Sequence, residues 1–396
     1  MSASMREFDV IVAGAGAAGM MCAAVAGQRG RRVLLLEHNG QVGRKILISG
    51  GGRCNFTNLH CGPGNFISEN MHFAKSALAL YEPRNFIELV ERYGIAWHEK
   101  TLGQLFCDHS ARAIVEMLLA ECGLGGVEIL LNVGGIEVEG AAGGGFRVAS
   151  SEGEFGAGVL VVATGGASIP KLGATGFAYD VARKFGLRVI QPRPALVPLV
   201  LGGDEARWTE LAGVSAEAEV RARGANGEGR FREKLLVTHR GLSGPAVLQA
   251  SSYWGPGTEL LVDFAPEIDV LGALMRPGGK RVEAALRQAL REVLPQRLAG
   301  FLAEENGPKG WSNADLEACE RRLHGRAFHP VKTEGFEKAE VTAGGVDTAG
   351  LQARTMEARK VPGLFFVGEA VDVTGWLGGF NFQWAWASGV AAGRAV

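Results

Sequence analysis

No apolar run in this 396-residue chain approaches the roughly 20 residues a membrane-spanning helix needs, so no membrane partner is expected. The N-terminus lacks a charged segment followed by a short apolar one. A secretory leader is therefore not expected, and the chain reads as cytoplasmic. Cysteine is scarce: Cys22, Cys54, Cys61, Cys107, Cys122 and Cys319 are scattered, with no C-x-x-C pair. They read as free thiols, which argues against a disulfide scaffold; no metal ligand set is expected either. Charge of one sign is missing too. Lys and Arg number 41 against 42 Asp and Glu, and no basic stripe interleaves with aromatics. Nucleic acid is not expected as a partner; a small molecule is.

What the chain does have is bulk and glycine. Its length exceeds one ordinary core, so two or three domains are expected. Of its 59 glycines, three sit in one informative place. Phe8–Ala13 is a short apolar run suited to a strand buried on both faces, followed by Gly14-Ala15-Gly16-Ala17-Ala18-Gly19, an Ala-rich helical stretch to about Gln28, then Val33–Leu36 and Glu37. The spacing predicts strand, turn, helix, strand and acid. Gly14 allows the tight turn, Gly16 lets a pyrophosphate approach the backbone, and Gly19 lets helix and strand close up. The helix N-terminus offers free N–H groups and partial positive charge, and Glu37 can accept hydrogen bonds from a ribose.

Farther on, Gly50-Gly51-Gly52 lies between Ser49 and Arg53-Cys54-Asn55, which predicts a loop with open backbone N–H groups. Lys45 and Arg53 can bring positive charge there. Helices are predicted over Met71–Leu80, Pro83–Tyr93, Ala111–Glu121 with Ser110 as cap, and Ala178–Phe185. The buried-strand run Val159–Ala163, ending in Thr164-Gly165-Gly166, returns the chain to a parallel sheet. Composition shifts near Gln191 to short alternating strands. Within them Thr238–Pro245 carries His239, a candidate acid or base, and a helix opening at Ser243. Helical periodicity follows over Lys280–Glu305 and Asn313–His324. The chain closes on the strand Val361–Val367, then Gly368-Glu369 and Gly378-Gly379-Phe380-Asn381. Glu369 offers a carboxylate to a polyol. The glycine pair lets a helix N-terminus approach an electron-accepting ring, where positive partial charge stabilises the reduced form.

Gly43–Lys45 with Ser49–Asn58, Leu102–Asp108, Thr238–Pro245, Val341–Val346 and Gly368–Gln383 together resemble the bacterial YhiN-like, BaiN-type (aminoacetone oxidase-like) FAD-dependent flavoproteins of the two-dinucleotide-binding type. The likeness runs from end to end. It implies an α/β fold: a Rossmann-like FAD-binding domain from residues 1–190 and 340–396, an inserted β-barrel-like domain from 191–265 and 325–339, and an inserted helical domain from 266–324. It also implies a cofactor pocket. Gly14, Gly16, Ala17, Ala18 and Gly19 would meet the pyrophosphate, and Glu37 and His38 the adenosine ribose. Arg44, Lys45, Gly51, Gly52, Arg53, Asn55, Val133, Thr164, Gly165 and Gly166 would line the pocket. Gly368 and Glu369 would lie by the ribityl chain, and Gly378, Gly379, Phe380 and Asn381 by the isoalloxazine. Phe380 stands where such proteins often have Tyr, which removes a phenol.

The expected activity is hydride transfer between FAD and a small organic substrate of the amine, ketone or enone class, with His239 and Lys45 as candidate catalytic residues. No second G-x-G-x-x-G follows a strand, so NADH or NADPH as transient reductant and oxygen as acceptor both stay open. The alternatives are a flavoprotein acting on RNA or protein, and a flavin redox sensor without turnover.

Overall fold

The computed structural model describes residues 5–224 and 227–396. By contacts the chain divides into two units, Met1–Arg193 with Val341–Val396, and Pro194–Glu340.

In the first unit β1 (Arg6–Ala13) leads through Gly14 into α1 (Ala17–Gln28) and β2 (Val33–Leu36). The parallel sheet runs in the order Glu128–Leu130, β2, β1, Gly153–Val162, Leu364–Phe366. Its last member comes from the far end of the chain, with Leu160, Val161 and Val162 opposite Leu364, Phe365 and Phe366. The strand Gly153–Val162 serves two partners. Its first half pairs antiparallel with Phe146–Ser150, and its second half lies parallel to β1 and Leu364–Phe366. All of β2 and the last four residues of β1 are buried, as expected of strands covered on both faces.

Helix α1 shows no apolar stripe because it is packed on nearly every side. A Cβ added at Gly389 would lie 2.6 Å from the Ala18 carbonyl, one at Gly393 2.8 Å from that of Cys22, and one at Gly27 2.5 Å from that of Gly125. Small residues thus let the helix Phe380–Ala395 and the end of Arg112–Leu124 press onto α1. Helix boundaries differ from those read in the sequence at several ends: Arg112–Leu124 has Ala111 and not Ser110 at its cap. Three of the differences have a local cause. The first helix after the glycine loop spans only Lys75–Leu80, because the Asn70 side chain accepts the His72 N–H and makes a turn there. Ser243 ends a strand, and Gly244 at φ +87° caps the helix Pro245–Ser251. Pro295 splits the long helical run into Glu283–Val293 and Gln296–Asn306, since the residue before a proline is held extended.

The second unit is a seven-stranded antiparallel sheet with helices. Its order is Arg326–Phe328, Leu260–Asp263, Ser215–Gly224, Gly227–Val237, Gly241–Ser243, Leu199–Val200, Lys332–Thr333. The two outermost strands are joined by residues 329–331 alone. Four Cα steps reach about 15 Å, whereas seven flat strands would spread over about 29 Å. The sheet therefore curls until its edges approach, which is what makes it barrel-like. Trp208 anchors the core here, stacked on Phe264 at 5.7 Å and edge-on to Phe301 and Phe328 at 4.9 and 4.8 Å. Among the described residues no helix is long and apolar enough to cross a membrane.

Candidate functional site

The glycines of the first unit sort into two kinds by what surrounds them. Gly14 has φ +106°, and a Cβ on it would sit 2.6 Å from the Ala163 carbonyl oxygen; one on Gly19 would overlap the Gly14 carbonyl oxygen. Both are needed to let β1, α1 and the neighbouring strand meet. Gly16, the N-cap of α1, has nothing within 4 Å of such a Cβ. The same is true of Gly51 and Gly165. These three leave room beside the backbone, and at Gly16 that room adjoins the unpaired N–H groups of a helix start, where an anion gains most. Nearby, the Thr164 hydroxyl is buried with no hydrogen-bond partner among the described residues. A buried orphan hydroxyl beside open backbone at a helix start fits a ligand such as FAD.

Glu37 ends β2 and is 6% exposed. Its carboxylate accepts from the Ala15 N–H at 2.9 Å, the Asn39 N–H at 2.9 Å and Asn39 Nδ2 at 2.8 Å, and it pairs with His38 Nδ1 at 3.1 Å. It therefore braces the glycine turn while keeping acceptor capacity on Oε2. Arg44 Nη1 donates to Asn39 Oδ1 at 2.6 Å, and the Val133 N–H to the Glu37 carbonyl at 3.0 Å. Asn39, unremarked in the sequence, is the hub of this end.

The other end is organised on Glu369. Lys45 Nζ lies 2.9 Å from Glu369 Oε2 and donates to Ser168 Oγ at 2.6 Å, while Ser168 Oγ donates to Glu369 Oε1 at 2.9 Å. The Thr342 N–H donates to Glu369 Oε1 at 2.9 Å, and Thr342 Oγ1 accepts from the N–H groups of Ala167 and Ser168 at 2.9 and 3.0 Å. Gly166 has no room for a Cβ between Thr342 and Glu369. Gly368 packs on Ala18, which brings the two chain ends together. Lys45 is thus engaged in an ion pair and a hydrogen bond, so its ammonium holds a carboxylate in place.

At the glycine loop, Ser49, Gly50 and Gly51 leave helical geometry inside Arg44–Gly52, and Arg53 is exposed. A Cβ on Gly379 would overlap the Thr57 carbonyl oxygen, so the turn before the last helix lies against that loop's strand. With its amide turned to satisfy its neighbours, Asn55 accepts from the Gly379 N–H at 3.3 Å and donates to Leu105 O and Thr57 O. Asn381 accepts from the Gly375 N–H at 2.8 Å and donates to the carbonyls of Gly375 and Trp376, and Phe380 is buried against Phe66 and Trp376. Both side chains are spent on the fold, which leaves backbone as the group able to face a ring. All six thiols are free, and burial pushes Cys61 up to about 12 and Cys54 higher still. His239 belongs to the second unit, exposed at a turn where Thr238 Oγ1 accepts the N–H groups of Arg240 and Gly241.

A glycine turn opening a helix under a parallel sheet, closed by a Gly-Glu strand from the far terminus, is the construction of the Rossmann-type FAD-dependent oxidoreductases, and this protein is one of them. The family model described as HI0933-like protein Rossmann domain matches residues 8–395, and the chain belongs to that family. It is 49% identical over 98% of both chains to a protein of Escherichia coli (strain K12) named ribosomal RNA dihydrouridine synthase. A protein of Haemophilus influenzae with the same name is 42% identical, again over 98% of each chain. A 3-dehydro-bile acid delta(4,6)-reductase of Clostridium scindens is 31% identical over 99% of both. In fold, the chain is similar to the apo Sdh1 complex of Mycobacterium smegmatis (TM-score 0.53, 18% identity, 99% of this chain and 68% of that one). It is also similar to the open conformation of a flavocytochrome c3 fumarate reductase (TM-score 0.50, 17% identity, 98% and 78%). The relatives named for ribosomal RNA overturn the expectation that nucleic acid has no part. Net charge sums a whole surface, whereas RNA is met by local groups.

Proposed function

We propose that this protein is a cytoplasmic FAD-dependent reductase that saturates the C5–C6 double bond of a uridine in ribosomal RNA, with NADH or NADPH as transient reductant. The likeness of 49% along 98% of both chains to a ribosomal RNA dihydrouridine synthase carries the reading. The chemistry is coherent across relatives. The uridine double bond is conjugated to the C4 carbonyl, and the bile acid reductase is named for unsaturation conjugated to an oxidised C3. On the uridine a hydride would add to C6, the double-bond electrons would shift toward the C4 oxygen, and a proton would be taken up at C5.

Once reduced by NADH or NADPH, bound FAD would supply the hydride and return to its oxidised form. Gly16 and the first turn of α1 would hold its pyrophosphate, and Glu37 with Asn39 its adenosine ribose. Thr164, Lys45 and Glu369 would line the ribityl chain, with the backbone at Gly378–Gly379 by the ring. Lys45 would keep the Glu369 carboxylate oriented. The test is incubation of flavin-loaded protein and NADPH with ribosomal RNA from cells lacking the modification. The expected product is a uridine nucleoside heavier by two hydrogens in mass spectrometry. Reduction of a small unsaturated ketone with no change in RNA would move the reading to the bile acid reductase chemistry.

A further inference from the structure

One motif of the sequence, Leu102–Asp108, has no part in the chemistry above. It forms the second half of a hairpin in which Trp97–Glu99 pairs with Gln104–Cys107. At the tip, Leu102 has φ +52° and is 61% exposed. A leucine is disfavoured there by the left-handed backbone. The tip is nonetheless held firmly. The Lys100 N–H donates to Gln104 O at 3.0 Å, the Gln104 N–H to Thr101 O at 3.0 Å, and the Gly103 N–H to Glu99 Oε1 at 3.0 Å. Asn58, 1% exposed, donates from Nδ2 to Leu102 O at 3.1 Å and to Gly378 O at 2.9 Å. One buried amide thus ties the leucine-bearing turn to the glycine pair. A second exposed leucine, Leu59, donates its N–H to Gly103 O at 2.8 Å, and exposed Lys100 and His60 flank the tip.

We propose that Leu102 is a wedge: it enters the base stack of ribosomal RNA and fills the gap left when the target uridine turns out to be reduced. The proposal rests on the reading of an RNA uridine as substrate. A base inside a stack is out of reach of a cofactor held in a protein pocket, so it must be extruded. Apolar side chains such as Leu are what proteins insert to part stacked bases. A wedge must also be rigid, which is what a strained turn fixed by five side-chain and backbone bonds supplies. Lys100 and His60 are placed to meet the flanking phosphates.

Leu102→Gly removes the wedge and relieves the positive φ, so that variant melts no lower than wild type; Leu102→Phe restores apolar bulk. Each is mixed with an RNA hairpin containing the target uridine beside 2-aminopurine, and with an unpaired oligonucleotide of the same sequence. Wild type and Leu102→Phe brighten the aminopurine in the hairpin. Leu102→Gly does not, and it reduces the hairpin uridine slower by roughly tenfold or more while reducing the unpaired oligonucleotide at the wild-type rate. Equal brightening by Leu102→Gly, or equal slowing on both RNAs, overturns the wedge. Brightening by wild type and not by Leu102→Gly, with no dihydrouridine formed on either RNA, keeps the wedge and fails the substrate reading. Neither brightening nor product by wild type fails both.

Discussion

Gly16 and Gly19 are three residues apart and do opposite work. Gly16 has an ordinary φ of −82° and empty space where a side chain would go, so Gly16→Ala should fold with an unchanged melting temperature. Flavin affinity should nevertheless drop by roughly tenfold or more, because the methyl would occupy the proposed phosphate approach. Gly19→Ala should instead cost stability, about 1–3 kcal/mol, since its Cβ has nowhere to go against the Gly14 carbonyl. Denaturation curves beside flavin titrations separate the two. At Glu369, Lys45→Met strands Oε2 and should cost about 1–3 kcal/mol. Lys45→Met with Glu369→Gln together should recover part of that in a double-mutant cycle, which a purely catalytic lysine would not show.

Elements carry the second kind of prediction. In the second unit, His324 on the helix Asn313–His324 bonds Glu320 through Nε2 at 3.0 Å and Asp263 through Nδ1 at 2.9 Å. Burial opposes its charge, but the bonds to Glu320 and Asp263 outweigh that and raise its pKa above the ordinary 6.5. A raised histidine stabilises fully below its unfolded value, and that contribution fades as pH climbs through the folded one. Thermal stability of this unit should therefore fall from about pH 6.5 upward, and His324→Gln should flatten the trend. A flat wild-type profile would dismiss the clamp.

For the whole molecule, the first unit is completed by a strand and a helix from the far end of the chain. FAD should accordingly raise the melting temperature, by about 2.7 kcal/mol of stability at a hundred times its dissociation constant. On the proposed site FMN should not substitute, because the α1 turn and Glu37 would meet the half of the cofactor it lacks. Flavin-stripped protein melted with each cofactor decides this.

How much of this was legible in the sequence depended on how far apart the partners lie. The β1–α1–β2 unit could be read because its glycines, helix and acid fall within thirty residues and each obeys a local steric rule. The Lys45–Ser168–Thr342–Glu369 cluster could not, because its members are up to 324 residues apart and chain spacing says nothing of which meet. Thr342 sat inside a quoted motif, yet nothing local marked its hydroxyl as the acceptor for Ala167 and Ser168. Asn39 stood in no motif, Asn58 closed one with nothing local to mark what its amide would bind, and the side chain of Asn381 is committed to its own loop. Net charge misled about RNA because it averages over positions that only folding separates.

By itself, then, the sequence determined where the backbone must bend tightly or lie buried, since hard-sphere sterics and hydrophobic patterning act over a few neighbouring residues. Tertiary structure alone decided which glycines stay open to a ligand, which carboxylate Lys45 meets and which leucine stands exposed. Those outcomes depend on contacts between segments that only the closed fold brings within reach of one another.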